Sequence, residues 1–168
     1  EPKYLNSPET IVFQKRRVLY GENWIKLIKD PKEIYVVEGY TDVIALHGVG
    51  IINVVATLGT AISPEHLKKL WNIVECPVIC MDGDAAGEKA MERAIDIVLP
   101  LLKPGTSVKF LQLPPGNDPY DIATNHGEQY TRNLFTQTQI GLSDAIWNFA
   151  IKHHKIDTPE NQALLSSF

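Results

Sequence analysis

Val78-Ile79-Cys80-Met81-Asp82-Gly83-Asp84-Ala85-Ala86-Gly87 is an apolar run that stops on two acids around a glycine and continues into small residues. Four consecutive apolar residues bounded by a turn predict a short strand buried on both faces. Beyond the turn, Ala86, Ala90, Ala94, Ile97 and Leu101 recur at helical spacing and predict a long helix over roughly residues 85–99. Strand, acidic turn and helix form one unit of a β-α alternation.

The same grammar continues in both directions. Upstream, Ile52-Asn53-Val54-Val55-Ala56 predicts a second strand, followed by the loop Thr57-Leu58-Gly59-Thr60-Ala61. Ser63-Pro64-Glu65 then supplies an N-cap, a proline for the first helical position and a first-turn acid, predicting a helix over roughly 64–74. Farther upstream, Ile34-Tyr35-Val36-Val37 is another β-branched run, and a helix over roughly 41–48 should end at Gly48 and Gly50. Downstream, Val108 to Leu113 predicts the fourth strand, closed by Pro114-Pro115-Gly116. The expected fold is α/β, a four-stranded parallel sheet flanked by helices.

The flanks differ in character. Residues 1–30 read as a basic N-terminal arm, with Lys3, Lys15, Arg16, Arg17, Lys26 and Lys29, and with a helical turn or two over Val18 to Ile28 before Asp30-Pro31. Residues 127–168 read as a small helical segment, with Leu142, Ile146, Phe149 and Ala150 on one helix face and a further helix started by Thr158-Pro159-Glu160. The main α/β domain is expected over 31–126.

At 168 residues and 44% hydrophobic content, the chain can bury one substantial core. It has no run of about 18 apolar residues, so no membrane span is expected, and its start lacks a signal pattern, which makes the cytoplasm the expected compartment. A net charge of −4 argues mildly against nucleic acid, although the cations crowded into the first part of the chain counter that average. Cys76 and Cys80 lie in an apolar segment without a second ligand pair, and read as buried thiols. The opening Glu1-Pro2-Lys3 reads as mid-sequence text, so a piece of a longer protein is expected.

The acids carry the chemistry. Glu38 follows the first strand, Asp82 and Asp84 the third, and Asp118 and Asp121 the fourth, while Asp42 sits at the start of the first helix. In an open parallel sheet, sites form beyond the carboxyl ends of the strands. Carboxylates gathered there repel one another unless a divalent cation compensates, and an all-oxygen set suits Mg²⁺ or Mn²⁺. Taken singly, Asp42 and Asp121 are equally readable as helix cap or turn residues, and Asp82-Gly83-Asp84 could be a plain turn, which is the lesser reading there. Gly39, Gly83 and Gly87 beside the acids are expected to allow tight turns and close approach of backbone to phosphate.

The ordered set Glu38-Gly39-Tyr40-Thr41-Asp42, Val54-Val55-Ala56-Thr57-Leu58-Gly59-Thr60-Ala61, Asp82-Gly83-Asp84-Ala85-Ala86-Gly87 and Asn117-Asp118-Pro119 resembles the Toprim domain of DnaG-type bacterial primases. The stretches Lys3 to Thr10 and Phe13 to Gly21 resemble the basic lead into that domain, and Leu142-Ser143-Asp144 the start of the helical part after it. The resemblance implies a Mg²⁺-dependent DNA-directed RNA polymerase that makes RNA primers on single-stranded DNA from ribonucleoside triphosphates. It implies Glu38, Asp82 and Asp84 as catalytic residues, Glu38, Asp42, Asp82, Asp84 and Asp118 as metal ligands, and Lys3, Lys15 and Arg17 as nucleotide or template contacts. It further implies zinc and a replicative-helicase contact only in domains outside this chain, leaving this piece able to bind metal yet unable to prime well by itself.

One position departs from the family pattern. Where the family reads Asp-Pro-Asp, this chain has Asp118-Pro119-Tyr120-Asp121. If a helix starts after Pro119, Asp121 is expected to cap it rather than hold metal; if the loop bulges, Asp121 could reach the same cation. Two other functions are compatible with an acidic edge of this kind. A topoisomerase or nuclease would use it to cleave DNA, but needs a nucleophilic tyrosine in the first case, and Tyr40 and Tyr120 read as loop packing. A receiver-like domain would phosphorylate one Asp, and does not require a third acidic motif.

Overall fold

In a computed structural model, residues 7–11 and 13–153 are described. Lys3 and the helix expected from Thr158-Pro159-Glu160 lie outside those residues. The strands are β1 (Tyr35–Val37), β2 (Val54–Ala56), β3 (Val78–Met81), β4 (Lys109–Gln112) and β5 (Gln139–Gly141). The helices are α1 (Glu22–Ile25), α2 (Tyr40–Gly48), α3 (Pro64–Trp71), α4 (Ala85–Val98), α5 (Pro119–Gln137) and α6 (Leu142–His153).

The sheet order is β2-β1-β3-β4-β5. The first four are parallel, as the β-α alternation requires, with Tyr35 beside both Val54 and Val78, and Val78 beside Lys109. The fifth strand corrects the four-stranded expectation: β5 runs antiparallel along β4, pairing Phe110 with Ile140. The residues that form it, Gln139-Ile140-Gly141, are too few and too polar to announce a strand, and tertiary pairing makes them one.

Period-two alternation divides the core between the two faces of the sheet. Val36, Val55, Ile79, Met81 and Phe110 face one side, where α3, α4 and α6 bring Leu67, Leu70, Ala94, Ile95, Val98, Leu142 and Ala145. Tyr35, Val37, Val54, Ala56, Val78, Cys80 and Leu111 face the other, where α2 and α5 bring Val43, Leu46, Ile122 and Phe135. The N-terminal segment is no detached arm beyond residue 18. Leu19 and Ile25 are buried in the first core, and Tyr20 exchanges backbone hydrogen bonds with Ala56 at the free edge of β2. Cys80 is buried and Cys76 partly so. The division expected at residues 126/127 falls inside α5, at a kink where Gly127 has φ 73° and ψ −173°. Among the described residues, no helix is long and apolar enough to cross a membrane.

Candidate metal centre

Three acidic motifs meet at the carboxyl edge because β1, β3 and β4 are adjacent and parallel. In each motif one acid lies at the start of the next helix. Asp42, 7% exposed, lies in the first turn of α2 and its Oδ2 accepts from the Gly39 N–H at 2.9 Å. Asp84 is the N-cap of α4, its Oδ1 accepting from the Gly87 N–H at 2.7 Å. Asp118 is the N-cap of α5, its Oδ1 accepting from the Asp121 N–H at 2.7 Å. One oxygen of each carboxylate is thus anchored on a backbone amide, which orients the other oxygen. For Asp84 and Asp118 the helix cap and the ligand candidate are the same residue, and for Asp42 the capping-box acid is, so for these three the two readings do not compete.

Two glycines lock the second motif to its neighbours. A Cβ on Gly83 would collide with the carbonyl groups of Leu113 and Pro114, while the Gly83 N–H donates to Asn117 O at 3.1 Å and its carbonyl accepts from the Gly116 N–H at 2.8 Å. A Cβ on Gly87 would collide with the carbonyl of Asp82. Both glycines therefore serve the close approach of the chain to itself in tight turns. Gly83 binds the Asp82–Asp84 turn to the loop that carries Asp118.

The electrostatics show five acids pressing on one another. Burial, with repulsion from Glu38, Asp42, Asp118 and Asp84, pushes Asp82 up to about 7. Asp42 is pushed up to about 6 by burial and by Asp118 and Glu38, against the pull of the Gly39 and Tyr120 amides. Burial and Asp84 also raise Glu38, and Arg93 opposes them. Arg93 was not expected at the site. It lies on the α4 face marked by Ala86 and Ala90, and with them, Glu38, Thr57 and Thr60 it lines a cavity of about 230 Å³. The spacing i, i+4, i+7 from Ala86 is the signal that places it there.

Asp121 is not among the acids that press on Asp82. The cap expected of it belongs to Asp118, because Pro119 takes the first helical position and pushes Asp121 into the first turn. Lys15 and Arg17 lie in a single 3-10 turn, Lys15–Arg17, against α3. Among the described residues, no three Asp, Glu, His or Cys side chains stand close enough to hold an ion as placed. Mutual repulsion splays carboxylates, and a cation draws them in. The donor chemistry fits a hard divalent cation: oxygen only, half-buried, pre-oriented, with raised proton affinities that a cation would relieve.

This leads to a pH expectation. Asp82 and Asp42 have folded pKa values above their unfolded ones, so the stability they contribute is fully present below about pH 4 and is lost as pH rises through 6 to 7. In chelator, the chain should melt at a higher temperature at pH 5 than at pH 8, and Mg²⁺ should close much of that gap at pH 8. Melts at both pH values with and without the ion check it; a gap that Mg²⁺ leaves untouched counts against the site.

A family model for the Toprim domain matches residues 32–112. The DNA primase of Rickettsia bellii is 44% identical over 167 residues, an alignment that covers 98% of this chain and 27% of the relative. A crystal structure of a DNA primase domain from Pseudomonas aeruginosa superposes with a TM-score of 0.91 at 46% identity, covering 98% of this chain and 52% of that one. The chain belongs to the DnaG-type primase family. A structure of a DnaG primase catalytic domain bound to single-stranded DNA also matches, with a TM-score of 0.89 and 36% identity over 99% of this chain and 54% of that one. The chain thus spans about a quarter of the length of the curated primase it matches and about half of the solved catalytic cores.

Within that primase family, the departure at Tyr120 has a testable consequence. Tyr120 is exposed and Asp121 sits in the first turn of α5, so Asp118 is left as the acid of the third motif that faces the others. Asp118→Asn keeps a good N-cap residue and should weaken Mn²⁺ binding about tenfold, whereas Asp121→Asn should change it less than twofold. Calorimetric titration of both variants decides this, and equal losses would restore Asp121 as a ligand.

Proposed function

We propose that the edge formed by Glu38, Asp42, Asp82, Asp84 and Asp118 holds Mg²⁺, or Mn²⁺ in its place, and is the nucleotidyl-transfer centre of a primase that extends RNA on single-stranded DNA. The observation that carries this reading is the mutual repulsion of five acids from three adjacent strand ends, with two of them raised toward neutrality. A bound divalent cation would supply the positive charge that a phosphoryl group under attack requires.

The chain's own residues provide the rest. Glu38, Asp82 and Asp84 form the centre of the edge, with Arg93 on the far side of Glu38 favouring its ionised form. The cations of Lys15, Arg16 and Arg17 supply contacts for template or nucleotide phosphates, and Lys3 belongs to the same proposal. Ribonucleoside triphosphates as substrates, a replicative helicase contacted through a part of the protein outside this chain, and a cytoplasmic setting follow from the primase reading.

Template-directed incorporation of labelled ribonucleotide by the complete protein tests it. Glu38→Gln, which keeps side-chain shape and removes one charge, should abolish incorporation while leaving the circular dichroism spectrum unchanged. Full incorporation by that variant would remove Glu38 from the centre.

A further inference from the structure

The N-terminus of α3 does more than start a helix. Ser63 Oγ accepts from the His66 N–H at 3.1 Å, and His66 Nδ1 accepts in return from the Ser63 N–H at 3.3 Å. These two bonds fix the imidazole as the tautomer with its proton on Nε2. Nε2 then lies 2.9 Å from Lys15 O and 3.1 Å from Val18 O, and Ser63 Oγ donates to Arg16 O at 2.6 Å. Three backbone carbonyls of one short segment, 47 to 51 residues away in sequence, are gripped by two side chains.

His66 is fully buried, at 0% exposure. An apolar residue would fill that space without the cost of burying an imidazole, so the ring is there for its bonds. With the carbonyls turned inward, the side chains of Arg16 and Arg17 remain exposed. Glu65, in the first turn of α3, is the acid they face. The grip is also tied to the acidic edge: the loop from β2 to Ser63 passes Glu38, where the Gly59 N–H donates to Glu38 O at 3.1 Å.

We propose that Ser63 and His66 are positioning residues, a clasp that fixes the basic turn Lys15–Arg17 on the acidic side of the sheet so that its cations meet the phosphates of single-stranded nucleic acid. The clasp rests on the primase reading above, because that reading gives the turn its ligand. Its role is to convert three cations on an otherwise irregular segment into a fixed charge pattern, so that binding pays no ordering entropy.

The test is the salt dependence of binding between this chain and a labelled oligothymidylate. Each phosphate contact on a single strand contributes about 0.7 to the slope of log affinity against log salt, so Arg16→Ala/Arg17→Ala should flatten the slope by about 1.4. His66→Leu should flatten it by a comparable amount with Mn²⁺ affinity unchanged. His66→Gln, whose amide retains donors for Lys15 O and Val18 O, should keep the original slope. Ser63→Ala, which loses the grip on Arg16 and the N-cap bond from the His66 N–H but keeps the His66 contacts to Lys15 O and Val18 O, should give an intermediate slope, and it carries the test with the Gln variant if the Leu variant does not fold. An original slope in both His66→Leu and Ser63→Ala, alongside a flattened one in the double arginine variant, overturns the clasp. An original slope in the double arginine variant overturns the nucleic-acid role of the turn itself, as does absence of salt-dependent binding by the unmodified chain.

Discussion

Asp82→Asn should abolish primer synthesis by the complete protein and, in chelator, raise the melting temperature of this chain. Both effects come from one cause. Asp82 is pressed by Glu38, Asp42, Asp118 and Asp84, so its charge destabilises the metal-free fold and, on the proposed reading, is of use only with a cation bound. Loss of a ligand charge that serves the transition state costs several kcal/mol, a rate loss on the order of 10³-fold. Removal of the repulsion should return about 1 kcal/mol after allowance for solvent screening, roughly 2–4 °C for a domain of this size. Initial rates and paired melts at pH 8 read both quantities. A variant that loses activity but melts lower in chelator would place Asp82 in a structural role instead.

Gly83→Ala should be the most damaging single methyl in the molecule. Its Cβ would meet the carbonyl groups of Leu113 and Pro114, which are backbone and cannot swing aside, so the Asp82–Asp84 turn and the loop before α5 must separate. Overpacking against backbone costs about 3 kcal/mol, or roughly 6–12 °C in melting temperature for a chain of this length. The same separation pulls Asp118 away from Asp82, and Mn²⁺ affinity should fall about 10–100-fold, the range typical of losing support behind metal ligands. Gly48→Ala is the control, because nothing lies within 4 Å of its added Cβ. Equal melting temperatures for the two variants would show that the contact between the two acidic loops is dispensable.

The parallel core was legible because its strands are buried on both faces and so appear as unbroken apolar runs. Val36-Val37 and Val78 to Met81 need no partner in sequence to be recognised. The positions of Glu38, Asp82, Asp84 and Asp118 followed from strand ends alone, and the structure brings these acids and Asp42 within mutual influence. The cap is expected on Asp121 instead of Asp118, although Asp118-Pro119 repeats the pattern of Ser63-Pro64, an N-cap followed by proline at the first helical position. Arg93, His66 and the packing role of Gly83 depend on contacts with residues far away in sequence, and no local pattern encodes the partner. His66 in particular sits at an ordinary helical position and differs from a surface histidine only through Lys15, Arg16 and Val18.

The order in which the strands line up has a consequence for synthesis of the chain. β1 and β2 pair as neighbours, β3 then adds to the other side of β1, and β4 and β5 follow outward in turn. Glu38 and Asp42 therefore leave the ribosome well before Asp118, and the Gly83 contact that gathers the acidic loops needs Pro114 and Asn117 already in place. A nascent chain folding as it emerges has an acidic edge that is incomplete until its last contributing loop docks. If the edge binds a cation as proposed, capture waits for the loop that carries Asp118, and a chain that stalls before residue 118 carries the first two acidic motifs without the loop that completes the centre.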